Sequence, residues 1–354
     1  MRVLLLLLLL LLLLTTCKKS PTEPIIPPVD SLNTKEYIWS EDTLFNPDGF
    51  GMFPTGISGS SPQNVWISCL NDVWQGEIYH FNGTTYTRKS PTPQFNFDLT
   101  DIKCFDENTV YAVGYKYWYD PEMRISGVIF KYNGVGWDIV VEDNKISTSL
   151  SFIYGCNKND IWVTGWGGVL WHFNGANWAK TIFKPERKHG PVISFEDGTA
   201  FITSEYDENI EDYTTKYYFT KYQNGIWKDI DSAITPISER GEVQYNKFGE
   251  LSMWGTSPDN LYNSGGSVFH FDGNNWKYIF PANYVQDIKG TDWNDVYAVG
   301  FHGDISRFNG KQWYEINEYS KTIVDFLGVM PFKEEVFIAA AYQGNTYIVR
   351  GKVK

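Results

Sequence analysis

Three stretches of the chain repeat one pattern: GVLWHFNGANW at 168–178, GSVFHFDGNNW at 266–276 and GDISRFNGKQW at 303–313. Each begins with glycine, continues through apolar-alternating residues to a histidine or arginine and a phenylalanine, and then reaches Asn-Gly or Asp-Gly, two spacers and tryptophan. Asn-Gly or Asp-Gly between two apolar runs is the strongest short-range signal of a β-hairpin, because the tight turn needs two positive φ angles. The pattern therefore predicts two antiparallel strands, the second of which begins at the tryptophan.

The glycine that closes this pattern recurs along the chain at intervals of roughly 40 to 50 residues, as expected of a repeat architecture. In six of the seven copies another glycine lies seven residues earlier, and the fourth copy has Tyr218 there instead. Before most hairpins a short strand combines Asp or Asn with an aliphatic and an aromatic residue, as in 160–162 and 295–297, and 109–111 and 335–337 are close variants. The closing glycines are Gly83, Gly134, Gly175, Gly225, Gly273, Gly310 and Gly351.

An inner strand, the Asp-Val-Tyr strand and the two hairpin strands make four strands in about 45 residues, which is typical of a propeller blade. We therefore predict an all-β fold, a seven-bladed β-propeller of four-stranded antiparallel blades over residues 36–354. The last copy ends at 351–354, so it lacks a fourth strand, and Tyr37-Ile38-Trp39 has the composition of that strand. We expect this segment to pair with the last blade and close the ring. Six blades with an irregular region at 194–227 is the alternative.

The N-terminal residues 1–16 contain eleven consecutive leucines at 4–14 after Arg2. A helix of this length spans roughly 16 Å, against about 30 Å for a bilayer core, so a secretory signal peptide is predicted. Leu14-Thr15-Thr16-Cys17 resembles the lipobox of bacterial lipoproteins, although Thr16 departs from the usual Gly, Ala or Ser. The resemblance implies lipidation of Cys17; an ordinary signal peptide cut elsewhere is the alternative.

Residues 17–35 contain four prolines and few large apolar side chains, so they are expected to form an extended tether. Lys18 resembles an outer-membrane sorting signal more than an inner-membrane retention signal. These features predict a lipid anchor in the bacterial cell envelope, at the outer membrane, with the periplasmic or surface face left open.

The formal charge of −12 and the pI near 4.9 argue against nucleic acid as a partner, because phosphate contacts need clustered Lys and Arg. His80, His172 and His270 share one repeat position, where other copies have lysine or arginine, so they lie on separate blades and do not converge on a metal ion. Cys69, Cys104 and Cys156 do not form a disulfide framework. We find no catalytic motif and no cofactor signature, so we assign no catalytic, metal or cofactor residues.

The connection between the second and third strands differs most among the repeats, with insertions at 70–75, 115–124 and 204–213. These connections emerge on one face, and variable loops on a rigid scaffold commonly carry function. The alternative is that the insertions pack over their own blades. The ligand-binding candidates on this face are Trp74, Trp118, Tyr119, Trp166, Tyr206 and Phe301.

The Asp-Val-Tyr strand and the HFNGxxW hairpin resemble the β-propeller repeats of secreted bacterial lipoproteins and, more loosely, the kelch, YVTN and BNR-type repeats. This resemblance implies the fold but no single function, because propellers host many functions. We predict a membrane-anchored, non-enzymatic binding or scaffold protein for a glycan or an envelope protein. The alternative is a glycoside hydrolase or lyase using Asp120, Glu122, Asp207 or Glu208. A pair of close carboxylates in a concave pocket would favour the enzyme.

Overall fold

The computed structural model describes residues 35–91, 96–119, 121–143, 148–209, 214–236, 247–317, 319 and 324–354. These residues form 27 strands, β1 to β27, and one 3-10 turn at Phe301–Gly303. Among them, no helix is long and apolar enough to cross a membrane. The predicted signal peptide, Cys17 and all but the last residue of the tether lie outside the described residues, so these assignments stay predictions.

Four successive sheets have four antiparallel strands each, in the order of the chain. The first contains β2 (Met52–Ser61), β3 (Asn64–Asn71), β4 (Gly76–Phe81) and β5 (Tyr86–Arg88). The second contains β6 (Phe97–Asp106), β7 (Thr109–Tyr119), β8 (Met123–Tyr132) and β9 (Trp137–Glu142). The third contains β10 (Leu150–Asn157), β11 (Asp160–Gly165), β12 (Val169–Phe173) and β13 (Trp178–Ile182). The fourth contains β14 (Lys188–Ser194), β15 (Ala200–Asn209), β16 (Thr214–Gln223) and β17 (Ile226–Pro236).

The next sheet has seven strands because one long strand belongs to two repeats. Its first part, up to Phe280, pairs mainly with the strand before it, and its last part, from Val285, pairs with the strand after it. The sheet thus contains the strands of two four-stranded repeats that share this long strand. Its members are β18 (Ser252–Ser257), β19 (Asn260–Ser264), β20 (Gly266–Phe271), β21 (Trp276–Asp292), β22 (Asp295–Gly300), β23 (Ile305–Phe308) and β24 (Trp313–Glu315).

The last sheet joins the two ends of the described chain. It consists of β25 (Asp325–Pro331), β26 (Glu335–Tyr342), β27 (Asn345–Val353) and β1 (Tyr37–Leu44), and β1 pairs with β27 over its whole length. The predicted closure by the Tyr37-Ile38-Trp39 segment is therefore confirmed. The sheet topology agrees with the predicted number of seven blades, which itself stays a prediction.

The hairpin glycines behave as predicted in six of the seven copies, where φ lies between +82° and +95°. Gly351 was assigned to the same role, and this was wrong. It lies inside β27 opposite Trp39, and a Cβ there would come within 2.7 Å of that indole ring. Gly351 is therefore needed to make room for the closing strand, and the chain makes no turn there because the partner strand comes from the N-terminal end.

The region at 194–227, considered as a possible irregular blade, is regular: β14 to β17 form a complete four-stranded sheet. Its departure from the repeat at Tyr218 has a local explanation. The guanidinium of Arg187 lies 3.4 Å from the centre of the Tyr218 ring and makes two 2.9 Å hydrogen bonds to Asp229. A buried bidentate pair thus occupies the place where the other copies bring a glycine.

The repeated tryptophans pack between sheets, as the repeat predicts. Four of them lie at or near the start of a fourth strand and meet, nearly edge-on, the aromatic residue on the second strand of the preceding repeat, with ring centres 5.3 to 5.9 Å apart. Such edge-to-face contacts are favourable beyond the area that they bury. The pairs are Trp137 with Trp66, Trp178 with Tyr111, Trp227 with Trp162, and Trp313 with Tyr262.

The inner strands surround a central channel, as in a β-propeller. Residues of β2, β6, β10, β14, β18, β21 and β25 all line this channel, whose volume is about 290 Å³. Two aspartates on its wall link neighbouring sheets, because Asp101 accepts the Ile153 N–H (3.0 Å) and Asp287 accepts the Val329 N–H (2.9 Å). Burial raises the pKa of Asp101 to about 6.

Candidate functional site

The shared histidine position has structural partners. His80 lies across from Trp66 in the strand ladder, with ring centres 4.3 Å apart, and its Nε2 is 2.8 Å from Asn64 Oδ1. His172 and His270 repeat this arrangement with Asp160 (2.7 Å) and Asn260 (2.7 Å). Among the described residues there is no group of three or more His, Cys, Asp or Glu side chains that could hold a metal ion.

Arginine replaces histidine in the sixth copy and makes the same contacts with a full charge. Arg307 is fully buried, donates from Nε to Asp295 Oδ1 (2.7 Å) and lies over the Tyr297 ring. Lys35 binds the other carboxylate oxygen of Asp295 at 2.7 Å. This position therefore stabilises its sheets from within.

The second strand of every repeat ends on one face of the molecule, which we call the upper face. Each candidate aromatic residue lies near the end of such a strand or shortly after it. Tyr119, at the end of β7, is 72% exposed. Trp74 is also exposed and has a φ of +59° in the turn after β3, where its carbonyl accepts the Tyr117 hydroxyl (2.9 Å). Phe301 stacks on Tyr284, with ring centres 5.7 Å apart.

Two of the insertions predicted as loops are extensions of the sheet. Trp118 pairs with Arg124 and Tyr119 with Met123, so β7 and β8 continue beyond the body of their sheet. In the same way Tyr206 pairs with Lys216 between β15 and β16. Aromatic residues, which make up four of the five positions at 115–119, favour this extended pairing over a loop.

A cavity of about 430 Å³ opens at the upper end of the channel, with which it shares Thr55, Thr100, Phe152 and Leu251. Five successive repeats contribute to it, from β2 to the residues just before β18. Its apolar wall is formed by Leu70, Leu99, Phe152, Phe248 and Leu251, and its charged residues are Asp98, Lys188, Glu205 and Glu250. A mainly apolar pocket with a few convergent polar groups is the usual form of a binding site.

Asp98 is positioned by the strand ladder. It lies on β6 directly opposite Tyr115 of β7, which also lines the cavity. The residue is 3% exposed, and its Oδ1 has no hydrogen-bond partner among the described residues. Burial raises the pKa of the Asp98 carboxyl. A buried carboxylate oxygen without a partner is costly and calls for an explanation.

Glu205 and Glu250 form a carboxyl pair at the same cavity. Glu205 on β15 faces Lys188 on β14, whose Nζ lies 2.5 Å from Glu205 Oε1 and 3.9 Å from Glu250 Oε2. Burial, together with a hydrogen bond and charge repulsion from Glu205, raises the pKa of Glu250 to about 7, although Lys188 and the Tyr217 hydroxyl oppose this.

The six predicted aromatic residues do not line this cavity. Trp166 contacts a residue of the cavity lining, because the Lys188 ammonium lies 5.7 Å from its ring centre. Tyr206 directly follows Glu205 along β15. No observation tests these residues as ligand contacts, and that role stays a prediction for all six.

The acids proposed for the enzymatic alternative are not brought together. Glu122 and Asp207 are exposed, and Asp207 accepts the Thr215 hydroxyl at 2.9 Å. Asp120 and the side chain of Glu208 lie outside the described part of the chain. The close pair is Glu205 with Glu250, which sequence reasoning missed because the two lie on different repeats and no motif links them.

No protein-family model and no curated protein matches the chain. Solved structures do match: YCF48 bound to D1 peptide (16% identity, TM-score 0.59, covering 89% of this chain and 97% of that one) and YCF48 from Cyanidioschyzon merolae (12%, 0.57, 88% and 98%). A third is the WD40 β-propeller domain of Doa1, at 12% identity and a TM-score of 0.54, covering 89% of this chain and 97% of that one. At these identities the likeness shows the fold, a β-propeller.

Proposed function

We propose that this chain is a membrane-anchored, non-enzymatic propeller that holds an extended segment of another envelope protein in the cavity at the upper end of its channel. The observation that carries the proposal is the cavity itself, where an apolar wall surrounds a buried carboxylate oxygen that has no partner among the described residues. Such a site gains free energy when a ligand both covers the wall and supplies the missing hydrogen bond.

The structural comparisons support a protein segment as the ligand. One of the similar structures is YCF48 bound to D1 peptide, so a protein of this fold binds a peptide. The extended ribbon of β7 and β8 and the exposed Trp74 and Tyr119 provide large rigid surfaces on the same face. Aromatic residues of this kind are enriched in protein interfaces.

The geometry of the carboxyl pair weighs against the hydrolase alternative. One ammonium group, Lys188 Nζ, lies 2.5 Å from Glu205 Oε1 and 3.9 Å from Glu250 Oε2. Retaining glycoside hydrolases hold their two carboxyls about 5–5.5 Å apart, and inverting ones about 6.5–9.5 Å, to leave room for the sugar or a water. Two carboxyls that both lie next to the Lys188 ammonium leave no such room. A glycan remains the competing ligand, to be distinguished by experiment.

Site-specific photocrosslinking in the intact envelope tests this proposal. A benzoylphenylalanine is introduced in place of Phe152, which lines the cavity, or in place of Val135, which is 92% exposed in the turn between β8 and β9 on the opposite face. We expect a discrete protein adduct from the first position and none from the second. Equal adducts from both positions, or none from Phe152 together with specific binding on a glycan array, would contradict a protein segment in the cavity.

The membrane anchor belongs to the same proposal and rests on the lipobox-like residues 14–17. Acyl chains are worth about 0.8 kcal/mol per buried methylene, so multiple chains on Cys17 hold a protein firmly. Replacing Cys17 with alanine should move the protein from the membrane fraction to the soluble fraction and abolish palmitate incorporation. Membrane association of the Cys17→Ala variant, with no palmitate label in the variant or in the wild type, would contradict lipidation at Cys17.

A further inference from the structure

The charges that line the cavity are unbalanced. Three carboxylates, Asp98, Glu205 and Glu250, line it together with one ammonium group, that of Lys188. Lys188 is committed to Glu205, with which it pairs across the strands. The described residues thus leave the cavity with more negative than positive charge, in a protein whose net charge is −12.

Asp98 is the group that this imbalance affects most. Its carboxylate is buried, and no described basic side chain makes an ion pair with it; its neighbour across the ladder, Tyr115, supplies a hydrogen bond but no charge. A buried charge is normally paired, because an isolated one has lost its water without compensation. Asp98 is among the residues that line the cavity, and its Oδ1 has no partner among the described residues, so a ligand can supply the missing partner.

The second carboxylate site lies at the cavity mouth. Glu250 is about two-fifths exposed, whereas Asp98 is buried in the wall. Between these polar groups the lining is apolar, with Leu99, Phe152 and Leu251. A lysine or arginine side chain matches such a lining, because its alkyl stem packs on apolar surface while its charged end reaches a carboxylate.

We propose that the cavity selects a cationic side chain of the bound segment, lysine or arginine, with Asp98 as its buried counter-ion and Glu250 as a second carboxylate at the entrance. This inference rests on the proposed function and names the chemistry of the partner at that site. Acidic segments are rejected for the same reason, since a further carboxylate would add to an uncompensated negative charge.

An array of immobilised short random peptides tests the inference. The full chain, purified in a non-ionic detergent and labelled with a fluorophore, is applied at about pH 8, above the pKa of Glu250, which is about 7. We expect the bound peptides to be enriched in Lys and Arg and depleted in Asp and Glu. We expect Asp98→Asn to weaken binding of the enriched peptides about tenfold, the loss of one charged hydrogen bond, and Glu250→Gln to weaken it less.

The matched control is Asp207→Asn. It removes an exposed carboxylate of β15, two residues beyond Glu205, that does not line the cavity. It should leave both the enrichment and the affinities unchanged. Glu250→Gln also serves as the test if Asp98→Asn unfolds the protein, because Glu250 lies at the entrance and not in the core.

The outcomes separate this inference from the proposed function. Peptides that bind without any Lys or Arg enrichment, or an enrichment that survives both Asp98→Asn and Glu250→Gln, would overturn the cation site and leave peptide binding standing. An array on which no peptide binds above the blank would overturn both. An equal loss with Asp207→Asn would show only general attraction to an acidic protein, and would also overturn the cation site.

Discussion

The ring closure by β1 can be tested by removing one buried side chain, that of Leu44. This residue is the last of β1, pairs with Thr346 of β27 and is 4% exposed. It belongs to a cluster that includes Met52 of the first sheet and Ile348 of the last. Leu44 thus belongs to a core that is shared by the first sheet and the last sheet.

Replacing Leu44 with alanine should lower the free energy of unfolding by about 3 kcal/mol. Three carbon groups leave the core, at about 0.8 kcal/mol each, which gives about 2.4 kcal/mol for transfer alone. The remaining hole adds a cavity cost, because the surrounding sheet relaxes only in part, and Leu→Ala changes in cores span about 2–5 kcal/mol. The midpoint of guanidinium unfolding, followed by tryptophan fluorescence, measures the difference.

Ile38→Ala is the matched control on the same strand, since Ile38 is 62% exposed. Its free energy of unfolding should stay within about 0.5 kcal/mol of the wild type, as for most surface changes. If the two variants are equally stable, β1 does not close the ring in solution, and the account of the last sheet is refuted.

Three further changes have defined outcomes. Trp118→Ala with Tyr119→Ala should weaken partner crosslinking at the cavity while leaving the melting temperature nearly unchanged; a large loss of stability would instead place these side chains in the core. Affinity for a lysine-containing peptide, measured by titration, should rise as the pH is raised through about 7, where Glu250 ionises, and Glu250→Gln should flatten this profile; a flat wild-type profile contradicts the role of Glu250. Arg307→Met should cost about 3 kcal/mol in denaturant unfolding, because Asp295 loses one of its two buried cationic partners; an unchanged midpoint would mean that the buried ion pair contributes nothing.

The fold was predictable because its determinants are local and repeated. A hairpin turn with positive φ needs glycine, so the turn positions are visible as Asn-Gly and Asp-Gly in the sequence. The same regularity revealed the missing fourth strand of the last repeat and its replacement by β1. It misled only at Gly351, whose spacing from Gly344 matches the repeat although the contact with Trp39 is its actual reason.

The cavity could not be found in this way, because its residues come from five repeats and occupy no common motif. Asp98 acquires its role from burial and Glu250 from Glu205 and Lys188, which belong to another repeat. The Lys188–Glu205 pair is visible only once the register of β14 with β15 is known. Sequence reasoning therefore pointed to the face on which the cavity opens, from its aromatic residues and long connections, but not to the residues that form the cavity.

The central claim is that the cavity of this propeller binds a cationic peptide segment, and a crystal structure of the full chain with the tightest peptide from the array tests it most directly. The account predicts a lysine or arginine side chain within hydrogen-bond distance of Asp98 Oδ1, with the peptide backbone crossing the mouth of the channel. A peptide bound along an outer strand or on the opposite face, or an apolar residue seated against Asp98, would contradict it.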